Sequence, residues 1–246
     1  DTQMGKGVVD ESMSQFAGTD ALSQGDYVHE TIDKADLILN VGHDIVEKPP
    51  FMMKDGQNIV HINFESAAVN EIYQPHIEVL GDIANAVWQI KNMLSENKER
   101  TDWDTDYHQP AKEKLDASFD SAVNNDTTIT PRTLVHRVRT SLPDDGILTL
   151  DNGMYKIWFA RHYATKQENT LLLDNALATM GAGLPSAIAA KLLHPDRPVT
   201  TVTGDGGFMM NSQELETAMR LGLDLTIVIL NDQSFKMIRW KQHAHG

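Results

Sequence analysis

The chain has 246 residues, 41% of them apolar, no cysteine, and a formal charge of −14 at pH 7. The length suits two α/β domains of ordinary size. The lack of cysteine excludes disulfides, thiolate nucleophiles and Cys-ligated zinc or iron–sulfur centres, in keeping with a reducing cytoplasm. An acidic chain with no basic stripe is a poor match for a nucleic-acid backbone. No apolar run approaches the roughly 20 residues that span a bilayer, and the opening DTQMGKGVVD has no signal-peptide pattern, so neither nucleic acid nor membrane is expected as a partner.

In chain order, GDYVHETIDKADLILNVGHD passes from an amphipathic helix around 27–34 into the apolar run 37–41, with Gly42 at its end. That is the pattern of a helix feeding a buried parallel strand. QNIVHINFE at 57–65 repeats the strand signal. IEVLGDIANAVWQIKNML then runs from a short strand into a helix capped by Asp82, with apolar residues at Ile83, Val87, Ile90 and Leu94. Residues 1–100 therefore read as one Rossmann-like α/β unit, and the polar stretch 101–127 as a linker with a surface helix or two. Residues 128–246 form a second α/β block. It opens at Thr130, a candidate helix cap, with Pro131 at the first helical position. Strand GILTL follows at 146–150, then DNGMYKIWFARHY, then TLLLDN, then the small-residue segment ALATMGAGLPSAIAAKLL. The fold class is α/β, with two Rossmann-like parallel-sheet domains.

The most informative stretch is GDGGFMMNSQELETAMRLGLDLTIVILND, residues 204–232. It is preceded by the β-branched run PVTTVT (198–203), and within it SQELETAMRL (212–221) reads as a helix and LTIVIL (225–230) as a buried strand. Two strands joined through a helix run parallel, so Asp205 and Asn231 both lie just past strand carboxyl ends, on the sheet edge where open α/β folds bind ligands. A carboxylate and an amide oxygen are hard ligands suited to Mg²⁺ or Ca²⁺. Gly204, Gly206 and Gly207 allow close backbone approach and N–H donation to an anion. An isolated Gly-Asp-Gly-Gly is ordinary turn chemistry; its spacing to Asn231 marks a metal-bridged diphosphate site. Met209 occupies the third glycine position of a dinucleotide fingerprint, and no Gly-Lys-Ser/Thr follows, so neither of those phosphate motifs applies.

Gly204-Asp205-Gly206, twenty-four residues and then Asn231 resemble the thiamine-diphosphate motif of the ThDP-dependent enzymes. The resemblance implies Mg²⁺ ligation by Asp205, the Asn231 side chain and the backbone carbonyl of Gln233, with Gly206 and Gly207 on the diphosphate. The family's terminal Asn-Asn is Asn231-Asp232 here. LATMGAGLPSAIAA resembles the family stretch whose bulky apolar residue props the cofactor into its bent shape, which implies that role for Met180. Leu184, Pro185 and the following alanines read as a close-packed helix.

Across the chain QMGKGVVDE, ADLILNVGHD and YQPHIEVLGD, then DNGMYKIWFARHY, GDGGFMMNSQELETA and MIRWKQ, are similar to the central and cofactor domains of acetolactate synthase catalytic subunits. That resemblance implies carboligation: one pyruvate loses carbon dioxide, and its remaining two-carbon unit joins a second pyruvate or other small 2-oxo acid. It implies a cytoplasmic homodimer or homotetramer assembled through the cofactor domains. The activating glutamate belongs to a pyrimidine domain outside this chain, so the chain is expected to be a fragment, inactive alone. GHDIVEKPP has His43 where flavin-binding relatives carry an arginine, and Trp240 sits one place earlier than in the biosynthetic form. Both features lean toward flavin-independent catabolic enzymes, with FAD the less expected cofactor.

Asn152, Met154, Tyr155 and Trp158 are candidates for the cofactor mouth; the alternative puts Trp158 and Phe159 in the core and Tyr155 on the surface. Met237 and Trp240 are candidates to line the substrate, and Arg239 either pairs with a carboxylate or is solvated. A ThDP-dependent decarboxylase or oxidase, and a non-catalytic module of the same fold, remain open alternatives.

Overall fold

The computed structural model describes residues 1–20, 26–43, 56–69, 73–96, 104, 106–123, 129–175 and 177–245. Residues 44–50 of the stretch compared with the flavin-contacting one lie outside that set. By contact the chain divides into two compact units, residues 23–115 and residues 1–22 together with 116–246. Among the described residues no helix is long and apolar enough to cross a membrane.

The unit at 23–115 begins with α1 (Tyr27–Ile32), whose first turn is capped by Asp26 accepting from the Tyr27 N–H. Strands β1 (Leu37–Val41), β2 (Asn58–Asn63) and β3 (Ile77–Leu80) form a parallel sheet in the order β1-β2-β3. Helix α2 (Ile83–Glu96) follows, with Asp82 accepting from the Asn85 N–H at 2.7 Å, the cap expected from sequence. The sequence reads β1 as buried; in the structure Leu37, Leu39 and Val41 are exposed. These three alternate onto one face of the pleat, and the described residues do not cover that face. No residue of α2 is buried either, and Val87 and Leu94 of its apolar stripe are exposed. Helix α3 (Gln109–Val123) lies in the stretch read as a linker and buries Ala111 and Leu115.

The larger unit is a three-layer α/β/α arrangement. Helix α4 (Pro131–Ser141) starts where sequence puts it: Thr130 Oγ1 accepts from the Thr133 N–H, and Pro131 occupies the first turn. The parallel sheet runs β5-β4-β6-β7, built from β4 (Ile147–Leu150), β5 (Leu171–Leu173), β6 (Val199–Gly204) and β7 (Thr226–Leu230). One face packs on α4 and on α5 (Met154–His162) through Val135, Val138, Leu148, Leu150, Phe159 and Val202. The other face packs on α6 (Gly183–Leu193) through Ile147, Ala187, Ala190 and Val199. Alanines on α6 bring that helix close to the sheet, as the small-residue segment predicts. A further helix, α7 (Asp205–Asn211), precedes the helix expected at 212–221, which is α8 (Glu214–Arg220). Helix α7 begins directly on the last residue of β6, where Gly206 and Gly207 let the chain turn without a side chain to clear. Helix α9 (Lys236–His245) follows β7.

Residues 1–20 join this larger unit through Glu11. Its N–H donates to the Thr165 carbonyl at 2.9 Å, and its carboxylate accepts from the Thr165 N–H at 3.0 Å and from Lys6 Nζ at 2.8 Å. Lys6 is buried, which lowers its pKa against the opposing pull of Glu11.

Chain direction gives the sheet its functional edge. From β4 the chain steps to β5 on one side, then crosses to β6 and β7 on the other, so the strand order reverses between β4 and β6. Outside the carboxyl ends of such a pair, helices diverge to opposite faces and leave a crevice. Phe159 is fully buried at the centre of the main core, so Phe159→Ala should lower stability by about 3–5 kcal/mol. A urea titration should show an earlier midpoint with little change in slope.

Candidate active site

The crevice past β4, β6 and β7 is a cleft of about 380 Å³. The β6–β7 register pairs Gly204 with Leu230. Asp205 and Asn231, each one residue further on, thus leave the sheet side by side, and both line the cleft. Asp205 is already tied down: Oδ1 accepts from the Gly206 N–H at 2.8 Å and Oδ2 from the Gln233 N–H at 3.0 Å. Gln233 has a left-handed φ of 54°. The donor to Asp205 is its N–H, a group distinct from the carbonyl expected to ligate the cation.

Gly207 has no room for a side chain, and one on Gly206 would have to displace the exposed Phe235 ring. A Cβ on Gly206 would overlap the Phe235 ring, and one on Gly207 would overlap Asp151 Oδ2. Bare backbone at the start of α7 is what a diphosphate needs for close approach. Among the described residues no group of three His, Cys, Asp or Glu could hold a metal. The donor set here is of another kind, with Asp205 supplying one carboxylate and Asn231 an amide oxygen. These hard oxygens fit Mg²⁺, which completes its shell with phosphate and water. Asp232, on the same cleft wall, adds a second carboxylate; it accepts from the Ser234 N–H at 3.0 Å and pairs with Lys236 Nζ at 3.0 Å.

Beneath these groups lies a residue to which sequence assigns no role. Asp151, the first residue after β4, is 1% exposed. Its carboxylate accepts from the Asn152 N–H at 2.7 Å, the Gly181 N–H at 2.8 Å and the Thr203 hydroxyl at 2.8 Å. It therefore joins the ends of β4 and β6 to the turn that carries Met180. That turn holds Ala178 at φ 50° and Gly181 at φ 89°. A left-handed alanine costs about 1–2 kcal/mol, which the surrounding hydrogen bonds offset.

Met180, Asn152, Met154, Tyr155 and Trp158 all line the cleft, whereas Phe159 is in the core. Asn152 bridges the site, donating through Nδ2 to the Thr179 carbonyl at 2.8 Å and accepting from buried Lys156 Nζ at 2.6 Å. The Tyr155 hydroxyl accepts from the Gly204 N–H at 3.0 Å, and burial, with the Asp151 charge nearby, raises its pKa. Tyr155 is thus a neutral hydrogen-bonding group at neutral pH. Gly204 and Met237 are on the cleft wall. Trp240 is not: one helical turn further along α9, about 4.5 Å higher, it is 53% exposed and clear of the cleft lining. Arg239 also lies off the cleft wall.

Two family models match the chain: "Thiamine pyrophosphate enzyme, central domain" over residues 1–90 and "Thiamine pyrophosphate enzyme, C-terminal TPP binding domain" over residues 151–246. The "Acetolactate synthase, catabolic" of Raoultella terrigena is 33% identical over 239 residues, covering 95% of this chain and 42% of the relative. The "Acetolactate synthase" of Bacillus subtilis (strain 168) is 29% identical over 218 residues, covering 86% of this chain and 37% of the relative. The "Putative thiamine pyrophosphate-containing protein YdaP" of the same strain is 28% identical over 243 residues, 98% of this chain and 42% of the relative. The chain thus spans about two fifths of the length of these relatives.

Replacing Asp151 by Ala strands two buried donors, the Gly181 N–H and the Thr203 hydroxyl, and the half-buried Asn152 N–H; each buried one costs about 1–3 kcal/mol when left unpaired. The substitution should therefore lower the thermal midpoint much more than Asp232→Ala at the cleft rim. Differential scanning calorimetry of the two variants makes the comparison.

Proposed function

The chain belongs to the thiamine pyrophosphate enzymes, and from that membership we propose that it binds thiamine diphosphate with Mg²⁺ and serves the decarboxylative joining of two pyruvates into 2-acetolactate. The observation that carries the proposal is the Gly204–Leu230 register, which sets Asp205 and Asn231 together over the Gly206–Gly207 backbone. Relatives named acetolactate synthase support the choice of reaction.

When bound, thiamine diphosphate supplies the electron sink for decarboxylation of a 2-oxo acid. The chain's own residues have four tasks. Asp205 and Asn231, with the Gln233 carbonyl, hold the cation. The Gly206 and Gly207 backbone meets the diphosphate. Met180, which lines the same cleft as Asn152 and Met154, would support the ring system. Leu134, Trp158 and Met237 form an apolar lining that keeps water from the reacting carbon, favouring carbon–carbon bond formation over protonation. FAD has no part in this scheme. Self-association through the cofactor domain draws support from the exposed Met209, Met210 and Met219 on α7 and α8.

A second reading of the cation's ligands is favoured by one observation. Asp232 brings a full carboxylate to the same wall, and a carboxylate is a stronger Mg²⁺ donor than an amide. Asp205→Ala should abolish Mg²⁺-dependent thiamine diphosphate binding on either reading. Calorimetric titration then separates them: Asn231→Ala is the more damaging change if the amide is the ligand, and Asp232→Ala if the carboxylate is.

For the reaction, the complete gene product incubated with pyruvate, thiamine diphosphate and Mg²⁺ without flavin should yield acetolactate, detected as acetoin after acid treatment. Acetaldehyde would identify a decarboxylase instead. Turnover only on adding FAD would identify a flavin-requiring synthase or oxidase.

A further inference from the structure

We propose that Asn211 is a positioning residue that holds the Met180 turn in register with the start of α7, coupling the two ends of the candidate site. The proposal rests on the reading of the cleft as a thiamine diphosphate site with Met180 against the ring system.

Peptide groups on both sides of Met180 are held from outside the turn. The Thr179 N–H donates to Asp174 Oδ2 at 3.2 Å, and the Thr179 carbonyl accepts from Asn152 Nδ2 at 2.8 Å. The Gly181 N–H donates to Asp151, and the Gly181 carbonyl accepts from Asn211 Nδ2 at 2.7 Å. The first three holders, Asp174, Asn152 and Asp151, follow strands β5 and β4. Asn211 instead is the last residue of α7, the helix whose first residue is Asp205.

A seven-residue helix is a rod about 10 Å long. A shift at its first residue, where the cation and diphosphate would bind, is carried to Asn211 at the other end. Contact there is close. A Cβ on Gly181 would stand 2.8 Å from Asn211 Nδ2 and 3.0 Å from Met210 Cβ, and Gly181 itself adopts a φ of 89°. The amide of Asn211 thus converts the placement of α7 into the placement of the peptide following Met180. Neither Asn211 nor Gly181 lines the cleft, so the effect on a ligand passes through Met180.

The test compares two probes by isothermal titration of the whole protein in Mg²⁺: thiamine diphosphate, which has rings, and inorganic pyrophosphate, which has none. Asn211→Asp keeps the shape but puts a carboxylate against the Gly181 carbonyl. It should weaken thiamine diphosphate about tenfold, the size expected for coupled neighbours, while changing pyrophosphate affinity by less than about twofold. Asn211→Ala removes the donor without the repulsion and should show the same selectivity to a smaller degree, which keeps the test decisive if the aspartate variant folds poorly. In a Met180→Ala background the effect of either change should largely disappear.

Equal losses for both probes would overturn the proposal, as would a full loss that persists without Met180. Wild-type protein that binds pyrophosphate but not thiamine diphosphate would overturn the reading of the cleft itself, and the coupling with it.

Discussion

The larger unit depends on one buried carboxylate. Asp151 stands where the strand order reverses, the place in an open parallel sheet where helices diverge and backbone polar groups lose their partners. Its oxygens collect the Asn152 N–H, the Gly181 N–H and the Thr203 hydroxyl. An ionised carboxylate is costly to bury unless its lone pairs are used, and here each oxygen is engaged. The arrangement works in both directions: the donors stabilise the charge, and the charge fixes three chain segments at one point.

Much of the local geometry follows from that point. Gly207 must lack a side chain because Asp151 Oδ2 occupies the space where its Cβ would be, and Gly183 must lack one because its Cβ would come 2.9 Å from Asp151 Cβ. The left-handed turn before α6 is held at Gly181, and α7 can begin without a loop because Gly206 and Gly207 follow β6 directly. Close packing of α6 on the sheet, made possible by Ala187 and Ala190, brings the Met180 turn to the same edge. A cleft with an oxygen-rich floor and an apolar lining results from the same reversal of strand order.

The legible part of this in the sequence was the part written in short-range pattern. Strands β4, β6 and β7 appear as β-branched or aliphatic runs, and the Thr130–Pro131 start of α4 and the Asp82 cap of α2 are local signals confined to a few residues. The side-by-side placement of Asp205 and Asn231 could be read because parallel strands joined through a helix bring equivalent ends to one edge. Asp151 could not be read, because its partners are 1, 30 and 52 residues away, and an acid after a strand looks like any turn residue. Asn211 was hidden for the same reason, its acceptor lying 30 residues back. The exposure of Leu37, Leu39 and Val41 was misread because an aliphatic run reports a strand's preference for burial, not whether a neighbour covers the face. Trp240 lies about one helical turn beyond Met237 and off the cleft lining, a distance that residue spacing alone does not resolve without the start of the helix.

Asp205 is immobilised before anything binds to it, each oxygen engaged by a backbone N–H, from Gly206 on one side and Gln233 on the other. The rotamer freedom that a surface aspartate surrenders on capturing a cation has here been surrendered during folding. A stiff ligand also chooses by size. For the cation proposed at this site, a carboxylate that cannot swing outward favours the short, regular octahedral shell of Mg²⁺ over the longer and more variable shell of Ca²⁺. Discrimination between the two ions would then come from main-chain hydrogen bonds that never touch the metal.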